Sequence, residues 1–310
     1  MKIIVITQPF PMGEYHWKRF EADYLTSLGH EVYMLEQLNG RDYNQEYIDQ
    51  IKELDPDLIY STPADHKTFE VLEQINCKKI INICSKGIMK DHINEWTEYR
   101  GRWWDSLFTN SIVLANEAKK YTKDVMHYEY PLIPIENDSI EEVSRYKHDC
   151  VFLGQGFHRL QIPEFKMERE TFFLQDHDFD FKVYGNGWPN VNWYAGGVLP
   201  DGDIGRLYAS AKSAIGVIEQ DQRIYGLINN RYSEMAYCKI PIISFDYPEV
   251  DWYGAEKYIN FITSANEVRD VVNKCKNDDE QIIKQVNDFK QFINNQHKTY
   301  LEKLEHVIKL

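Results

Sequence analysis

The sequence holds few cysteines, and none of them is arranged as a metal site or a disulfide framework requires. Five of the 310 residues are cysteine. There is no CxxC pair and no Cys/His cluster with zinc spacing. The odd number and the wide scatter predict reduced thiols, most of them buried as small apolar side chains: Cys77, Cys84, Cys150, Cys238 and Cys275.

Long apolar runs are also missing. The apolar stretch at residues 3–6 turns polar at once and is too short for the core of a signal peptide. No later stretch approaches the roughly 18 consecutive apolar residues that a membrane-spanning helix needs. We therefore expect a cytoplasmic protein that makes no stable membrane insertion.

Positive charge is scarce as well. The formal net charge is −14, and residues 1–145 alone carry 16 Lys/Arg against 25 Asp/Glu, or −9. Such a balance argues against broad attraction to phosphate backbones or anionic lipid. A nucleic acid partner would have to meet a local basic patch.

What the sequence does contain is a regular alternation of strands and helices. Strands are predicted at 2–7, 31–35, 57–61, 79–84 and 106–111, with helices near 16–28, 45–54, 67–75 and 116–123. Gly29 is expected to cap the first helix in the left-handed conformation. This alternation indicates right-handed βαβ crossovers and a parallel sheet.

The same pattern restarts after Pro131 and Pro134. Strands are predicted at 149–156, 179–188, 213–218 and 240–245, helices at 204–210 and 231–237, and two helical stretches after residue 278. The fold class is therefore α/β with two Rossmann-like domains. We expect domains at 1–145 and 146–285, followed by a helix at 286–310.

One segment concentrates groups that bind anions. Asn229, Asn230 and Arg231 stand at or just before a predicted helix start, where free backbone N–H groups and the helix dipole favour negative charge. Glu234 follows on the same helix face and can accept from sugar hydroxyls. The alternative is a surface capping box with an i,i+3 ion pair, which contributes only a few tenths of a kcal/mol.

Five segments in order make residues 150–272 resemble a known family. They read VFLGQGFHR (151–159), KVYGNGW (182–188), GGVLPDGDIGRLYASAKSAIGVI (196–218), RYSEMAYCKIPIIS (231–244) and ANEVRDVV (265–272). The sequence is similar here to the donor-binding domain of GT-B glycosyltransferases, in the "glycosyl transferases group 1" branch with spore-maturation CgeB-like proteins. In residues 1–145 the likeness is only general. The resemblance implies an interdomain cleft, with an acceptor-side domain at 1–145, a nucleotide-sugar-binding domain at 146–285 and a helix at 286–310 that returns to the first domain.

The resemblance implies a role for each matching residue. Gly154, Gln155 and Arg159 would lie near the diphosphate, followed by a second loop at Tyr184, Gly185 and Asn186. Val198 and Leu199 would pack on the base, Arg231 would bind phosphate and Glu234 the ribose. Many retaining relatives carry a second Glu eight residues before the one matching Glu234, but here that position is Gly226. Sugar recognition and stereochemical outcome therefore stay open.

The first domain offers candidates for the acceptor side. The loop after the first strand carries Gly13 and His16, and ligands bind at the carboxyl ends of parallel strands. A neutral His16 there can act as general base toward an acceptor hydroxyl or bond the donor sugar, although a lone histidine is more often structural. Ser85, Lys86 and Gly87 follow another strand and are similar candidates. The pair at 103–104, two tryptophans, fits core packing better than sugar stacking.

We predict sugar transfer from a nucleoside-diphosphate sugar, UDP by default, without a cofactor or a metal, since no DxD motif stands where it would be needed. The acceptor stays open between a glycan, a small molecule, a protein and a modified DNA base, as in phage-type hydroxymethyl-pyrimidine glucosylation. Alternatives are a sugar-nucleotide epimerase or phosphorylase on the same scaffold, or a non-catalytic nucleotide-sugar-binding module. A dinucleotide-dependent oxidoreductase fits less well, because GQGFHR lacks the third glycine of its fingerprint.

Overall fold

The computed structural model describes residues 1–7, 14–36, 45–61, 71–83, 104–120, 124–131, 140–156, 163–174, 176–188, 194–197, 199–200 and 202–309. The side chains of 14–17, 83, 164, 194–196 and 221 are outside this description. The chain divides into two units. The first comprises Met1–Pro134, Ile224–Leu227 and His297–Leu310, and the second Ile135–Arg223 and Ile228–Gln296.

The first unit is built on a six-stranded parallel sheet. Its strands are β1 (Lys2–Thr7), β2 (Glu31–Glu36), β3 (Leu58–Ser61), β4 (Lys78–Ile83), β5 (Ser106–Thr109) and β6 (Val125–His127). They lie in the order β2-β1-β3-β4-β5-β6. Both faces of this sheet are buried, as parallel sheets require: alternate residues of β1 enter opposite cores, with Ile4 and Ile6 in one and Ile3 and Val5 in the other.

The second unit repeats this plan. Its strands are β7 (Cys150–Leu153), β8 (Phe181–Tyr184), β9 (Tyr194–Gly196), β10 (Ala214–Ile215), β11 (Ile242–Phe245) and β12 (Asn260–Ile262). Their order is β12-β11-β10-β7-β8-β9, and the pairs are parallel throughout. The prediction of two parallel α/β sheets is therefore confirmed.

Helices connect these strands. In the first unit they span Glu14–Ser27, Gln45–Leu54 and Ile112–Ala118. In the second they span Lys166–Glu168 with a π-helical continuation over Arg169–Phe173, then Asp203–Ser210, Asn230–Tyr237 and Ala265–Lys276. The helix Gln220–Ile224 ends where the chain enters the first unit, and Glu280–Lys309 is shared by both.

Two sequence predictions about helices are wrong. The helix predicted at 116–123 lies at Ile112–Ala118, because the Ser111 hydroxyl accepts from the Leu114 amide at 3.0 Å and caps the helix there. The two helical stretches predicted after residue 278 are one helix of 30 residues. The left-handed cap at Gly29 is confirmed by its φ of +85°.

A buried polar network lies in one core of the first unit. The Glu21 carboxylate pairs with the Lys18 ammonium at 2.5 Å and accepts from the hydroxyls of Tyr60, at 2.9 Å, and Tyr300. The Asn82 amide donates to the Tyr60 hydroxyl at 2.7 Å. Because buried charges need partners, these bonds fix how the segment after residue 297 packs on the first helix.

The network predicts a specific stability effect for one hydroxyl of the C-terminal segment. Tyr300→Phe removes a hydrogen bond to a buried carboxylate, so we expect the free energy of unfolding to fall by about 1.5–3 kcal/mol. Urea denaturation followed by circular dichroism measures this change.

Tyr24→Phe is the matched control for Tyr300→Phe. The Tyr24 hydroxyl also bonds a carboxylate of the C-terminal helix, Glu305, at 3.2 Å, but near solvent. We expect its loss to change stability by less than ~1 kcal/mol. Equal effects of the two variants would contradict the role given to the buried network.

Candidate functional site

The strand order of the second sheet predicts a ligand-binding crevice at the edge formed by the carboxyl ends of its strands. The chain starts at β7, extends to β8 and β9 on one side, and then returns to β10, β11 and β12 on the other. Ligands of open parallel sheets bind beyond the carboxyl ends of the strands, where the order reverses. The loops after β7 and β10 occupy this switch point.

Two glycine-rich loops at this edge are packed too closely for side chains. Gly185 has a φ of +127°, and a Cβ there would lie 2.1 Å from the Gly154 carbonyl oxygen. The Gly156 amide donates to the Asn186 carbonyl at 2.8 Å, and the Trp188 indole N–H donates to the Gly154 carbonyl at 2.8 Å. The backbone after β7 is thus held by the backbone after β8.

A third close approach positions the helix Asn230–Tyr237. A Cβ at Gly216, directly after β10, would lie 2.7 Å from the Tyr232 ring. The Tyr232 hydroxyl is 2.7 Å from the Ser244 hydroxyl on β11. The first turn of this helix is therefore set against the carboxyl ends of both strands.

The Asn229 side chain fixes the start of this helix through bonds to other segments and does not cap its N–H groups. Asn229 is the N-cap residue, but its side chain makes no cap hydrogen bond. Its amide donates instead to the Val217 carbonyl at 2.8 Å and to Gln222 Oε1 at 3.3 Å. The Tyr232 N–H donates to the Asn229 carbonyl at 3.3 Å. The backbone N–H groups of Asn230 and Arg231, which no described side chain caps, therefore stay available for an anion.

Arg231 and Glu234 lie on this helix with buried polar atoms that lack protein partners. Glu234 is 5% exposed, and its Oε1 accepts from the Asn230 amide at 2.7 Å. Within the described part of the chain, Arg231 Nη1, Glu234 Oε2 and Asn229 Oδ1 are buried without a hydrogen-bond partner. The surface capping box considered from the sequence is therefore not what forms here.

The electrostatics of these groups follow from their burial. Burial raises the pKa of Glu234, while Arg231 and the bond from Asn230 oppose the rise. The pKa of Arg231 is also raised, because Tyr208 and Glu234 outweigh the effect of burial. Arg231 therefore keeps its charge. A further hydrogen-bond donor, such as a ligand hydroxyl, would stabilise the charged form of Glu234.

The structure brings some of the predicted residues together at this edge and separates others. Asn229, Asn230, Arg231 and Glu234 share one helix start, and the loops with Gly154, Gln155, Gly185 and Asn186 follow β7 and β8. The Tyr184 hydroxyl instead bonds His148, 3.0 Å away, whose other ring nitrogen is 2.7 Å from Asp180. The Tyr184 hydroxyl is thus engaged by His148, and its carbonyl accepts from the Gly154 N–H at 2.9 Å.

Several candidates fall outside the described residues. This is the case for Arg159 and Val198 in the second unit and for Gly13, Ser85, Lys86 and Gly87 in the first. Leu199 is described and half-buried. His16 lies in the helix Glu14–Ser27, but its side chain is outside the description. Trp104 is 6% exposed within a core, as the packing interpretation predicts.

Sequence analysis missed three side chains around the helix start. The Tyr208 hydroxyl bonds Arg231, and Gln222 Oε1 accepts from Asn229. Glu168 is 1% exposed, and one of its carboxylate oxygens has no partner among the described residues. No short motif marks these positions, because each comes from a different element of the fold.

The described residues contain neither a cluster of metal ligands nor a membrane-spanning helix. None of these residues form a group of three or more His, Cys, Asp and Glu side chains fit to hold a metal ion. No described helix combines the length and the apolar character needed to cross a membrane. The four described cysteines are free, and burial raises the pKa of Cys150 to about 12.

Comparison with known proteins gives one family match. Residues 169–306 match the family model described as "Glycosyl transferase-like". This segment contains β8 to β12 and the helix that carries Arg231 and Glu234. No curated protein sequence matches.

Solved structures resemble the whole chain at low sequence identity. HepE from Anabaena, in complex with UDP-glucose, has a TM-score of 0.67 at 11% identity, covering 99% of this chain and 100% of that one. Sucrose-phosphate synthase from Thermosynechococcus elongatus gives 0.65 at 10%, covering 100% and 98%. The T4 phage β-glucosyltransferase with its UDP-glucose substrate gives 0.63 at 14%, covering 100% of both chains.

These likenesses agree with the architecture already described. The structural matches span both sheets and the C-terminal helix, and the family model covers the loop after β8 and the helix start with Arg231 and Glu234, while the loop after β7 precedes it. Residues 169–306 are therefore glycosyl transferase-like, and the chain as a whole has the fold of the GT-B glycosyltransferases.

Proposed function

We propose that this chain transfers a sugar from UDP-sugar to an acceptor hydroxyl, and that its second unit holds the donor at the start of the helix Asn230–Tyr237. The observation that carries the proposal is the pair of buried atoms Arg231 Nη1 and Glu234 Oε2, which have no hydrogen-bond partner among the described residues. One is a cationic donor and the other an anionic acceptor, which is what a phosphate and a ribose diol require. Two of the similar structures contain UDP-glucose.

The same groups account for how the leaving diphosphate would be stabilised. Charge develops on the phosphate oxygens as the glycosidic bond breaks. The Arg231 guanidinium and the backbone N–H groups of Asn230 and Arg231 are fixed donors at that position, and they need no reorganisation during the reaction. Independence from metal ions and cofactors stays a prediction from the sequence, as do the cytoplasmic location and the CgeB-like branch.

The acceptor is a hydroxyl compound whose charge the first 145 residues constrain. With a formal charge of −9 these residues favour a neutral or cationic acceptor over a polyanion. One of the similar structures is described as the DNA-modifying enzyme β-glucosyltransferase. A DNA acceptor for this chain would need a local basic surface to overcome the repulsion.

His16 is our proposal for the base that activates the acceptor. It stands in the first turn of the helix that follows β1, whose carboxyl end is next to the switch point between β1 and β3. An imidazole there is suited to take a proton from an attacking hydroxyl near neutral pH.

Arg231→Ala tests the phosphate assignment. We expect it to weaken UDP binding by about 1.5–3 kcal/mol, because it removes charge-assisted hydrogen bonds. Isothermal titration calorimetry with UDP measures the loss. Arg269→Ala is the control, since Arg269 forms an exposed ion pair with Asp178 at 3.1 Å. A folded Arg231 variant with unchanged affinity would refute the assignment.

Glu234→Gln tests the role of the Glu234 carboxylate, because its effects on Tm and on UDP affinity should both depend on pH. Because the pKa of Glu234 is raised in the folded chain, protonated Glu234 contributes to the free energy of unfolding at pH values below its ordinary pKa of 4.5. This contribution is lost as the pH rises through the raised pKa. Gln avoids the loss, so the variant should have a higher Tm than wild type at pH 8 and no such advantage at pH 4. It should also bind UDP more weakly at pH 8, where the carboxylate accepts from ribose.

The control for Glu234→Gln is Glu256→Gln, an exposed site. It should change neither Tm nor affinity. A Tm difference for Glu234→Gln that is the same at both pH values would contradict the assigned cost of the buried carboxylate.

His16→Ala tests the proposed base. We expect kcat for UDP release from UDP-glucose to fall about 10²-fold, the usual scale for a general base, with UDP affinity unchanged. His30→Ala, outside the helix that carries His16, should retain the wild-type rate. Turnover of His16→Ala near the wild-type rate would assign the base to another residue.

A further inference from the structure

A second buried carboxylate in the second unit, Glu168, has one oxygen without a hydrogen-bond partner among the described residues. Glu168 is 1% exposed, and its Oε1 accepts from the Tyr247 hydroxyl at 3.0 Å. Its Oε2 is buried and has no hydrogen-bond partner in the described part of the chain. A buried charged oxygen without a donor is costly, so its retention needs an explanation other than stability.

A cationic side chain with a buried donor, Arg223, lies over the ring of the same tyrosine. The Arg223 guanidinium is 4.6 Å from the centroid of the Tyr247 ring, a cation–π geometry. Arg223 Nε is buried and likewise lacks a partner among the described residues. One phenol thus has an anionic acceptor at its hydroxyl and a cationic donor over its face.

These three side chains lie beside the proposed donor site. Tyr247 follows the carboxyl end of β11, and Arg223 lies in the helix that follows β10. The neighbouring Gln222 accepts from Asn229, the N-cap residue of the helix that carries Arg231. Glu168 and Arg223 both act electrostatically on Tyr232 in that helix.

The combination of groups selects a class of ligand. A hydroxyl group donates one hydrogen bond and accepts others, so adjacent hydroxyls can satisfy Glu168 Oε2 and Arg223 Nε together. A phosphate offers no donor at neutral pH and would be repelled by Glu168. An apolar group would leave both atoms unpaired. The chemistry therefore fits a neutral polyol.

We propose that Glu168, Tyr247 and Arg223 form the subsite that binds the hydroxyls of the transferred sugar and so determines which sugar the enzyme accepts. This inference rests on the proposed function, and it assigns sugar recognition to residues distinct from those that hold the nucleotide. Glu168 accepts from a sugar hydroxyl, Arg223 donates to one, and Tyr247 positions the Glu168 carboxylate.

The test compares UDP-glucose with UDP, which has no sugar, by calorimetry. Glu168→Gln should lower the affinity for UDP-glucose about tenfold or more, the usual effect of losing a hydrogen bond to a charged group, while UDP affinity stays within about twofold. Glu170→Gln is the control, because Glu170 is two residues away and exposed. It should leave both affinities unchanged.

Tyr247→Phe provides a second variant that keeps the charge. It frees the Glu168 carboxylate from its positioning bond, so it should also weaken UDP-glucose binding more than UDP binding. Equal affinities of wild type and both variants for UDP-glucose would mean that Glu168 binds only a buried water, and would overturn the subsite. Wild-type protein that binds neither UDP nor UDP-glucose would instead refute the proposed function.

Discussion

Buried charge with incomplete pairing is the constraint around which the second unit is organised. Arg231, Glu234 and Glu168 each place a polar atom out of contact with solvent and, among the described residues, without a protein partner. Each such atom is destabilising unless a ligand or a water supplies the missing bond. Under the proposed function the bound donor supplies the missing bonds, and such a trade of stability for binding is usual at functional sites.

Close packing of glycines is what holds these charges in position. A side chain at Gly185 would collide with the Gly154 carbonyl of the β7 loop, and Gly216 lets the Tyr232 ring reach the end of β10. A side chain at Gly185 would therefore displace the β7 loop, and one at Gly216 would displace the Tyr232 ring. The charged groups and the glycines therefore form one structural unit, although they are scattered over about 80 residues of sequence.

Much of the fold could be predicted from the sequence, because strand and helix periodicity are local properties. The apolar runs of β1 and β11 and the glycine after the first helix identify their elements directly. The error at the helix Ile112–Ala118 arose because the Ser111 hydroxyl, a local cap, outweighed the apolar pattern. The helix start at Asn229 was also found, because clustered amides and an arginine are visible in a short window.

Glu168, Gln222 and Tyr208 could not be predicted, because their importance depends on contacts between distant segments. Glu168 meets Tyr247, 79 residues later in the chain, and nothing in its own neighbourhood distinguishes it from a surface acid. The Glu21 network is similar: the Glu21 and Tyr300 side chains meet across 279 positions. Long-range pairing of this kind is set by topology rather than by local pattern.

Hydrogen–deuterium exchange with and without UDP-glucose tests the central claim, that the second unit binds the donor at the carboxyl edge of its sheet. We expect slower amide exchange in peptides covering the loop after β7 and the segment from β10 to Glu234. Peptides of the helix Ala265–Lys276, which contributes no residue to the proposed site, should exchange at the same rate with and without UDP-glucose. Protection confined to the first unit, or none at saturating UDP-glucose, would contradict it.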